Sequence, residues 1–217
     1  MKGNKRVHRL CLSFATGVLS VILPGGWLIA QEAQTPTASG WSQNDVLRIA
    51  KEIRKQIVTL PQYGVFDDIH FGIGGKTIIL DGSASRPTLK SSAENVVKKI
   101  EGVEGVNNQI EVLPLSPNDD RIRAGVYARI YGYPVLQKYT SNRGGGRWLS
   151  LTRLVTGITN DPPIGYHAIH IIVKNGNVTL KGAVNNSGDL AIAEMRANLT
   201  PGVFSVANDL FVANEEK

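Results

Sequence analysis

The sequence predicts an α+β fold made of two αββαβ units, each a three-stranded mixed sheet with two helices on one face. Three observations carry this. Residues 68–112 recur as 168–212 at a shift of 100 without a gap. In both stretches a period-two apolar alternation turns at a glycine-containing pair and resumes, as a β-hairpin does. Both then continue with an apolar stripe at helical spacing and a last alternating segment. Compared position by position, the two stretches share 11 identities in 45, among them His70/His170, Gly82/Gly182, Glu94/Glu194 and Asn108/Asn208. Chance would give about 3, so the repeat is a duplication.

With 217 residues, 42% apolar content and 19% charged residues, the composition is that of a globular chain. Residues 1–30 carry Lys2, Lys5, Arg6 and Arg9 with no acid, then an apolar run over 10–23, then Pro24-Gly25-Gly26. This is the layout of a secretory signal peptide, cut at Ala30 or Ala33. The run spans 14 residues before the break, short of the ~20 that a membrane-spanning helix needs. Counted through Ala30 it reaches 21, so an uncleaved N-terminal anchor is the alternative. The one cysteine, Cys11, lies inside this segment. A mature chain without thiols excludes disulfides, thiolate metal sites and cysteine nucleophiles, and fits an extracytoplasmic location. Removing the segment also lowers the formal charge from +6 to +2, which weakens a nucleic-acid reading of the basic composition.

The elements follow in order. Residues 31–41, polar and containing Pro36, form a tether. Val46, Ile49, Ile53 and Ile57 lie at helical spacing, with Ser42 or Asn44 to cap the start and Pro61 to mark the end. Ile69, Phe71 and Ile73 alternate into a Gly74-Gly75 turn, and Ile78 and Leu80 resume the alternation. In the second copy the turn is Asn175-Gly176, the preferred type I′ pair. Leu89, Ala93, Val96 and Ile100 make a helical stripe ended by Gly102, and Val106, Ile110 and Val112 form the last strand. The strand–helix–strand crossover is expected to be right-handed. A stiff linker over 113–118, with Pro114 and Pro117, joins the copies. The second copy opens on a helix bearing Ile122, Val126 and Ile130, where Asp120 and Arg123 repeat the spacing of Asp45 and Arg48 at a shift of 75. On that match the second copy holds 25 additional residues before its hairpin, an insertion at about 133–166.

Strand, Gly82 or Gly182, helix, and then Gly-Val-x-x-Val-x-Asn-x-[Ile/Leu]-x-Val resemble the BON domain, the bacterial osmotically inducible and nodulation module. The resemblance covers 42–113 and 119–213, a first and a second domain. It implies an αββαβ fold, an envelope location, whether periplasmic, secreted or peripheral on a membrane, and association with phospholipid surfaces linked to envelope integrity or osmotic stress. It brings no catalytic residues.

Gly72–Thr77 has glycines and a lysine, but its spacing and the strand that follows do not suit a phosphate loop. His167 and His170 would point to opposite faces of a strand, so no metal site is expected. Asn108 and Asn208 share the parity of the core valines and are expected to bond loop backbone. Gly82 and Gly182 answer a backbone need, either positive φ or close approach of the following helix. No nucleophile, base and acid converge, so no enzyme, cofactor or small-molecule substrate is expected.

One constellation suggests binding. Arg121, Arg123, Arg129, Lys138, Arg143, Arg147 and Arg153 occur with no acid among them, interleaved with Tyr127, Tyr131, Tyr133, Tyr139 and Trp148. Aromatic rings with polar tips suit a lipid headgroup layer, and basic side chains are drawn to an anionic membrane. The expected lipid-binding set is Arg121, Arg123, Tyr127, Arg129, Tyr131, Arg143, Arg147, Trp148 and Arg153. The expected partner is an anionic phospholipid surface and not nucleic acid. The alternative is a protein–protein adaptor in the envelope that uses the insertion.

Overall fold

Helix α1, Gln43–Val58, starts where the Ser42 hydroxyl accepts from the Asp45 N–H at 3.2 Å, and buries Ile49, Ile53 and Ile57. The computed structural model describes residues 40–141, 158–159, 162–163 and 165–213, all within one compact unit, Thr35–Lys217. The expected signal peptide (1–30) and nearly all of the expected tether (31–41) lie outside the described residues.

Strands β1, Asp68–Gly74, and β2, Thr77–Ala84, form the first hairpin. Its two-residue turn is Gly75-Lys76 rather than Gly74-Gly75, with only Gly75 at positive φ, 65°. Helix α2, Pro87–Val97, buries Leu89, Ala93 and Val97. The last strand runs parallel to β2 in two stretches, β3, Gly105–Asn108, and β4, Glu111–Val112. Between them Gln109 N–H still donates to the Leu80 carbonyl at 2.8 Å, so they follow one line. Ile78 and Leu80 of β2 point to the face that α1 and α2 cover, giving a core with Ile53, Leu89 and Ala93.

The second copy repeats this order. Helix α3, Pro117–Tyr131, is capped by Ser116, whose hydroxyl accepts from Asp119 N–H at 3.2 Å. It begins earlier than the sequence reading placed it, because proline suits the first turn of a helix, and the linker is correspondingly shorter. A 3-10 helix, Pro134–Tyr139, follows. Then come β5, Ile169–Lys174, β6, Asn177–Val184, helix α4, Ser187–Asn198, and β7, Ser205–Val212. The Asn175-Gly176 turn has both residues at positive φ, 52° and 79°, as a type I′ turn requires. Both sheets share one topology, an antiparallel hairpin whose second strand also pairs in parallel with the last strand.

Counting from the caps corrects the size of the insertion. Ser42 and Ser116 are 74 residues apart, whereas the hairpins are 100 apart, so the second copy is 26 residues longer, not 25. The Asp/Arg match was one residue out because Asp119, not Asp120, holds the position that follows the capping serine by three.

The two copies are packed together. Val65 and Phe66, in the loop between α1 and β1, are fully buried among Tyr127, Ile171 and the rest of the second copy's core. Lys181 pairs with Asp68 at 3.1 Å, and Lys174 pairs with Glu111.

Candidate docking site around the insertion of the second copy

Helix α3 is covered on two sides, by β5 and by α4. It therefore buries two adjacent stripes, Ile122, Val126 and Ile130 alongside Arg123, Tyr127 and Tyr131. This overturns part of the expected membrane surface. Arg123 is 2% exposed, and Tyr127 and Tyr131 are fully buried. None of the three can reach a bilayer. Arg121 is exposed and Arg129 half-buried, while Arg143, Arg147, Trp148 and Arg153 lie outside the described residues.

The buried three have defined tasks. An edge strand presents unpaired backbone groups, and buried ones must find partners. The Tyr131 hydroxyl donates to the Ile169 carbonyl at 2.6 Å and accepts from the Ile169 N–H at 3.1 Å. Burial pushes this phenol well above its ordinary pKa, which keeps it a donor. Arg123 Nη2 donates to the Val173 carbonyl at 2.8 Å, and Nη1 donates to Asp120 Oδ1 at 2.7 Å and to Thr159 Oγ1 at 3.1 Å. Ile171 N–H donates to the Val65 carbonyl of the first copy at 2.8 Å. The outer edge of β5 is thus closed by α3 side chains and one borrowed carbonyl.

The same groups hold both ends of the insertion. At its start, Thr140 bridges to His167, Ala168 N–H donates to the Tyr139 carbonyl at 2.8 Å, and Ser141 N–H donates to the Tyr166 carbonyl at 3.0 Å. Near its end, Thr159 is held by Asp120 and Arg123 through its side chain and by Arg86 of the first copy through its carbonyl. The 3-10 helix is pinned to α4: the Tyr139 hydroxyl donates to Asp189 Oδ2 at 2.6 Å, and Lys138 pairs with the same oxygen at 2.7 Å. That bond to Asp189 raises the lysine's pKa.

His167 is buried within this base. Its Nδ1 lies 2.9 Å from the Gly165 carbonyl and its Nε2 lies 3.2 Å from the Tyr127 hydroxyl. A carbonyl only accepts, so Nδ1 carries the proton and Nε2 accepts from Tyr127. Burial lowers the imidazole pKa from 6.5 to about 4. Folding therefore favours the neutral ring. The contribution is complete above the unfolded value and is lost as pH falls from 6.5 toward 4, by at most about 3 kcal/mol. Urea midpoints at pH 7.5 and 4.5 should show a smaller acid loss for His167→Gln than for the parent chain; equal losses would refute this role.

The repeated motif residues are structural. Asn108 Nδ2 donates to the Lys90 carbonyl at 3.0 Å and to Glu94 at 2.9 Å, and its Oδ1 accepts from Ile110 N–H at 3.2 Å. Asn208 does the same with Leu190 at 3.3 Å, Glu194 at 3.0 Å and Leu210 at 3.3 Å. The amides fasten the last strand to a helix, not to loop backbone as expected, and their glutamate partners are themselves shared between the copies. Gly82 and Gly182 have φ of 110° and 117°. A methyl group there would overlap the carbonyl oxygen of Asp68 or Ala168, so the crowding comes from the neighbouring strand rather than from the following helix. His70 sits between Asp68 at 3.5 Å and Asp81 at 3.6 Å, whereas the His170 ring meets Tyr63 at a tilt of 48° with centroids 5.7 Å apart.

The sequence reading missed Asp119. It is 1% exposed, and its carboxylate accepts from Asn175 N–H and Gly176 N–H at 2.9 Å each. The adjacent acids Asp119-Asp120 ahead of Arg123 were the available signal: one clamps the hairpin turn, the other the arginine. Among the described residues there is no group of three or more His, Cys, Asp or Glu side chains placed to hold a metal ion. Among them, too, no helix is long and apolar enough to cross a membrane.

Fold and site together define a tandem αββαβ protein with a braced insertion in its second copy. The BON domain model matches residues 45–114 and 152–214, more than half of the chain, and the chain belongs to the BON domain family. The second match begins beyond α3, within the insertion. The family is known in envelope proteins and is generally non-enzymatic. No curated protein matches the sequence. Among solved structures, the C-terminal domain of CdsD, the structural protein of the type III secretion system of Chlamydia trachomatis, is similar. It is 14% identical over 79% of this chain and 99% of that one, with a TM-score of 0.25. A second CdsD structure gives 14%, 79%, 94% and 0.24. At these scores neither likeness bears on function.

Proposed function

We propose that the chain is a non-enzymatic protein of the bacterial envelope that docks on anionic phospholipid through the second copy's insertion, supporting envelope integrity or tolerance of osmotic stress. The observation that carries this reading is the bracing of the insertion at both ends, by the Thr140–His167 bridge and by the Asp120, Arg123 and Arg86 contacts to Thr159. Buried polar groups are committed to holding a segment whose sequence carries Arg143, Arg147, Trp148 and Arg153, and no acid occurs between Asp120 and Asp161. Exposed Arg121 and half-buried Arg129 remain in the set; Arg123, Tyr127 and Tyr131 leave it for the core.

Each basic residue near an anionic surface contributes about 1 kcal/mol, screened by salt. Changing Arg143, Arg147 and Arg153 together to alanine is therefore expected to weaken cosedimentation with phosphatidylglycerol vesicles about a hundredfold at low salt. Phosphatidylcholine vesicles should retain little of the parent chain. Equal binding to both vesicle types, or an unchanged affinity of the triple variant, would sink the proposal.

A further inference from the structure

The two copies of the fold meet through unlike surfaces, an end of the first against a face of the second. Ile171, Val173, Val178 and Leu180 point to the helices, so alternation sets His170, Ile172, Lys174, Thr179 and Lys181 on the open face of the second sheet. Asp68, Ser83, Glu111 and Leu113, at one end of the first copy, lie against that face. Lys181 pairs with Asp68 at 3.1 Å, and Lys174 pairs with Glu111. Leu113 and Ile172, 3% and 7% exposed, belong to neither copy's own core and line one groove together with Ser83 and Thr179.

A joint of an end to a face leaves one of each unused, and the shift of 100 identifies them. The unused end, on the second copy, has Ala168, Ala183, Phe211 and Ala213 where the first has Asp68, Ser83, Glu111 and Leu113. The unused face, on the first copy, has Gly72, Gly74, Ile79 and Asp81 where the second has Ile172, Lys174, Thr179 and Lys181. The two surfaces have changed together. Where the internal contact pairs Lys174 with Glu111, the unused surfaces carry Gly74 and Phe211. Position 168, which would face Asp81, holds alanine in place of an acid. Phe211 is 61% exposed beside its strand partner Ala183. Neither Gly72 nor Gly74 has positive φ, and β1 pairs with β2 without a bulge. The backbone therefore does not require these glycines, and glycine inside a strand then marks the close approach of another group. Nothing lies within 4 Å of a methyl placed at Gly72, and the nearest atom at Gly74 is Ile79 Cδ1 at 3.5 Å. Gly72 and Ile79 are partners across the hairpin, so the open face of β1 is a glycine floor edged by one apolar side chain.

We propose that the chain binds a second copy of itself head to tail, repeating between molecules the contact that joins its two halves. The Phe211 ring of one molecule seats on the Gly72 and Gly74 floor of the next, against Ile79, with Ala168, Ala183 and Ala213 around it. Apolar contact takes the place of the internal ion pairs. The interface joins different surfaces, so each bound molecule still presents a free end or a free face, and association continues past a dimer unless the rotation closes a ring. Membrane docking through the insertion uses other residues, so the two sites stand apart.

Sedimentation velocity of the chain from about 1 to 200 μM tests this. The expected result is a mean mass that rises with concentration beyond that of a dimer. Phe211→Glu, Phe211→Ser and Gly74→Lys should each raise the concentration needed at least about tenfold. Both positions are exposed, so the urea midpoints should match the parent's. The double variant Phe211→Glu with Gly74→Lys should associate again, because a glutamate now faces a lysine between molecules as Glu111 faces Lys174 within one. A monomer at every concentration, single variants that associate like the parent, or a double variant no better than either single one would overturn the proposal.

Discussion

Gly182→Ala is expected to destabilise the chain by about 4 kcal/mol. The position has φ of 117°, a region other residues avoid at a cost of about 1–3 kcal/mol. The new methyl would also overlap the Ala168 carbonyl oxygen, which is backbone and cannot swing aside. Forcing that strand outward costs about another 1–3 kcal/mol and disturbs the Ile169 contacts to Tyr131. Gly82→Ala should cost a similar amount, because Gly82 meets the Asp68 carbonyl in the same geometry. Gly72→Ala is the control: nothing lies within 4 Å of a methyl placed there, and its φ is ordinary. Urea denaturation of the three variants checks this. A Gly182→Ala midpoint equal to that of Gly72→Ala would show that the strand relaxes freely and that the position is not constrained.

Arg123→Ala is expected to cost about 3–5 kcal/mol, the range for removing one partner of a buried ion pair. The guanidinium meets Asp120, Thr159 and the Val173 carbonyl, so its loss leaves the edge carbonyl without its donor and the Asp120 carboxylate without its cation, bonded only by the Thr159 hydroxyl. Arg123→Met separates the charge from the stem: it keeps the apolar filling and loses the donors, and should fall between the parent and alanine. Under conditions where the variants stay folded, their affinity for phosphatidylglycerol vesicles should remain within about twofold of the parent. That outcome is the opposite of what a membrane-facing Arg123 would give. A variant of full stability but with weakened vesicle binding would return this side chain to the surface.

Much of the fold was legible because it rests on local chemistry. Asn175-Gly176 between alternating strands specifies a type I′ turn by itself, and Ser42 caps α1 through atoms three residues away. The repeat then reported that both halves use one scaffold. The candidate site was legible in part. Asn108, Asn208, Gly82 and Gly182 were recognisable as structural, yet their partners were not, since the helix carbonyls and strand oxygens that they meet come from elsewhere in the chain. Arg123, Tyr127 and Tyr131 were placed on the wrong side of the surface.

The reason is the chemistry of those side chains. Isoleucine at helical spacing marks a buried face, but tyrosine and arginine join an apolar body to a polar tip. Such a residue satisfies the same pattern whether its tip meets water, a headgroup or the edge of a strand. The sequence by itself determined the duplication, the αββαβ order, the turns, the caps and the place of the insertion. Only the tertiary structure decided that α3 lies between β5 and α4. That placement turned a basic aromatic stripe into the closure of a sheet edge.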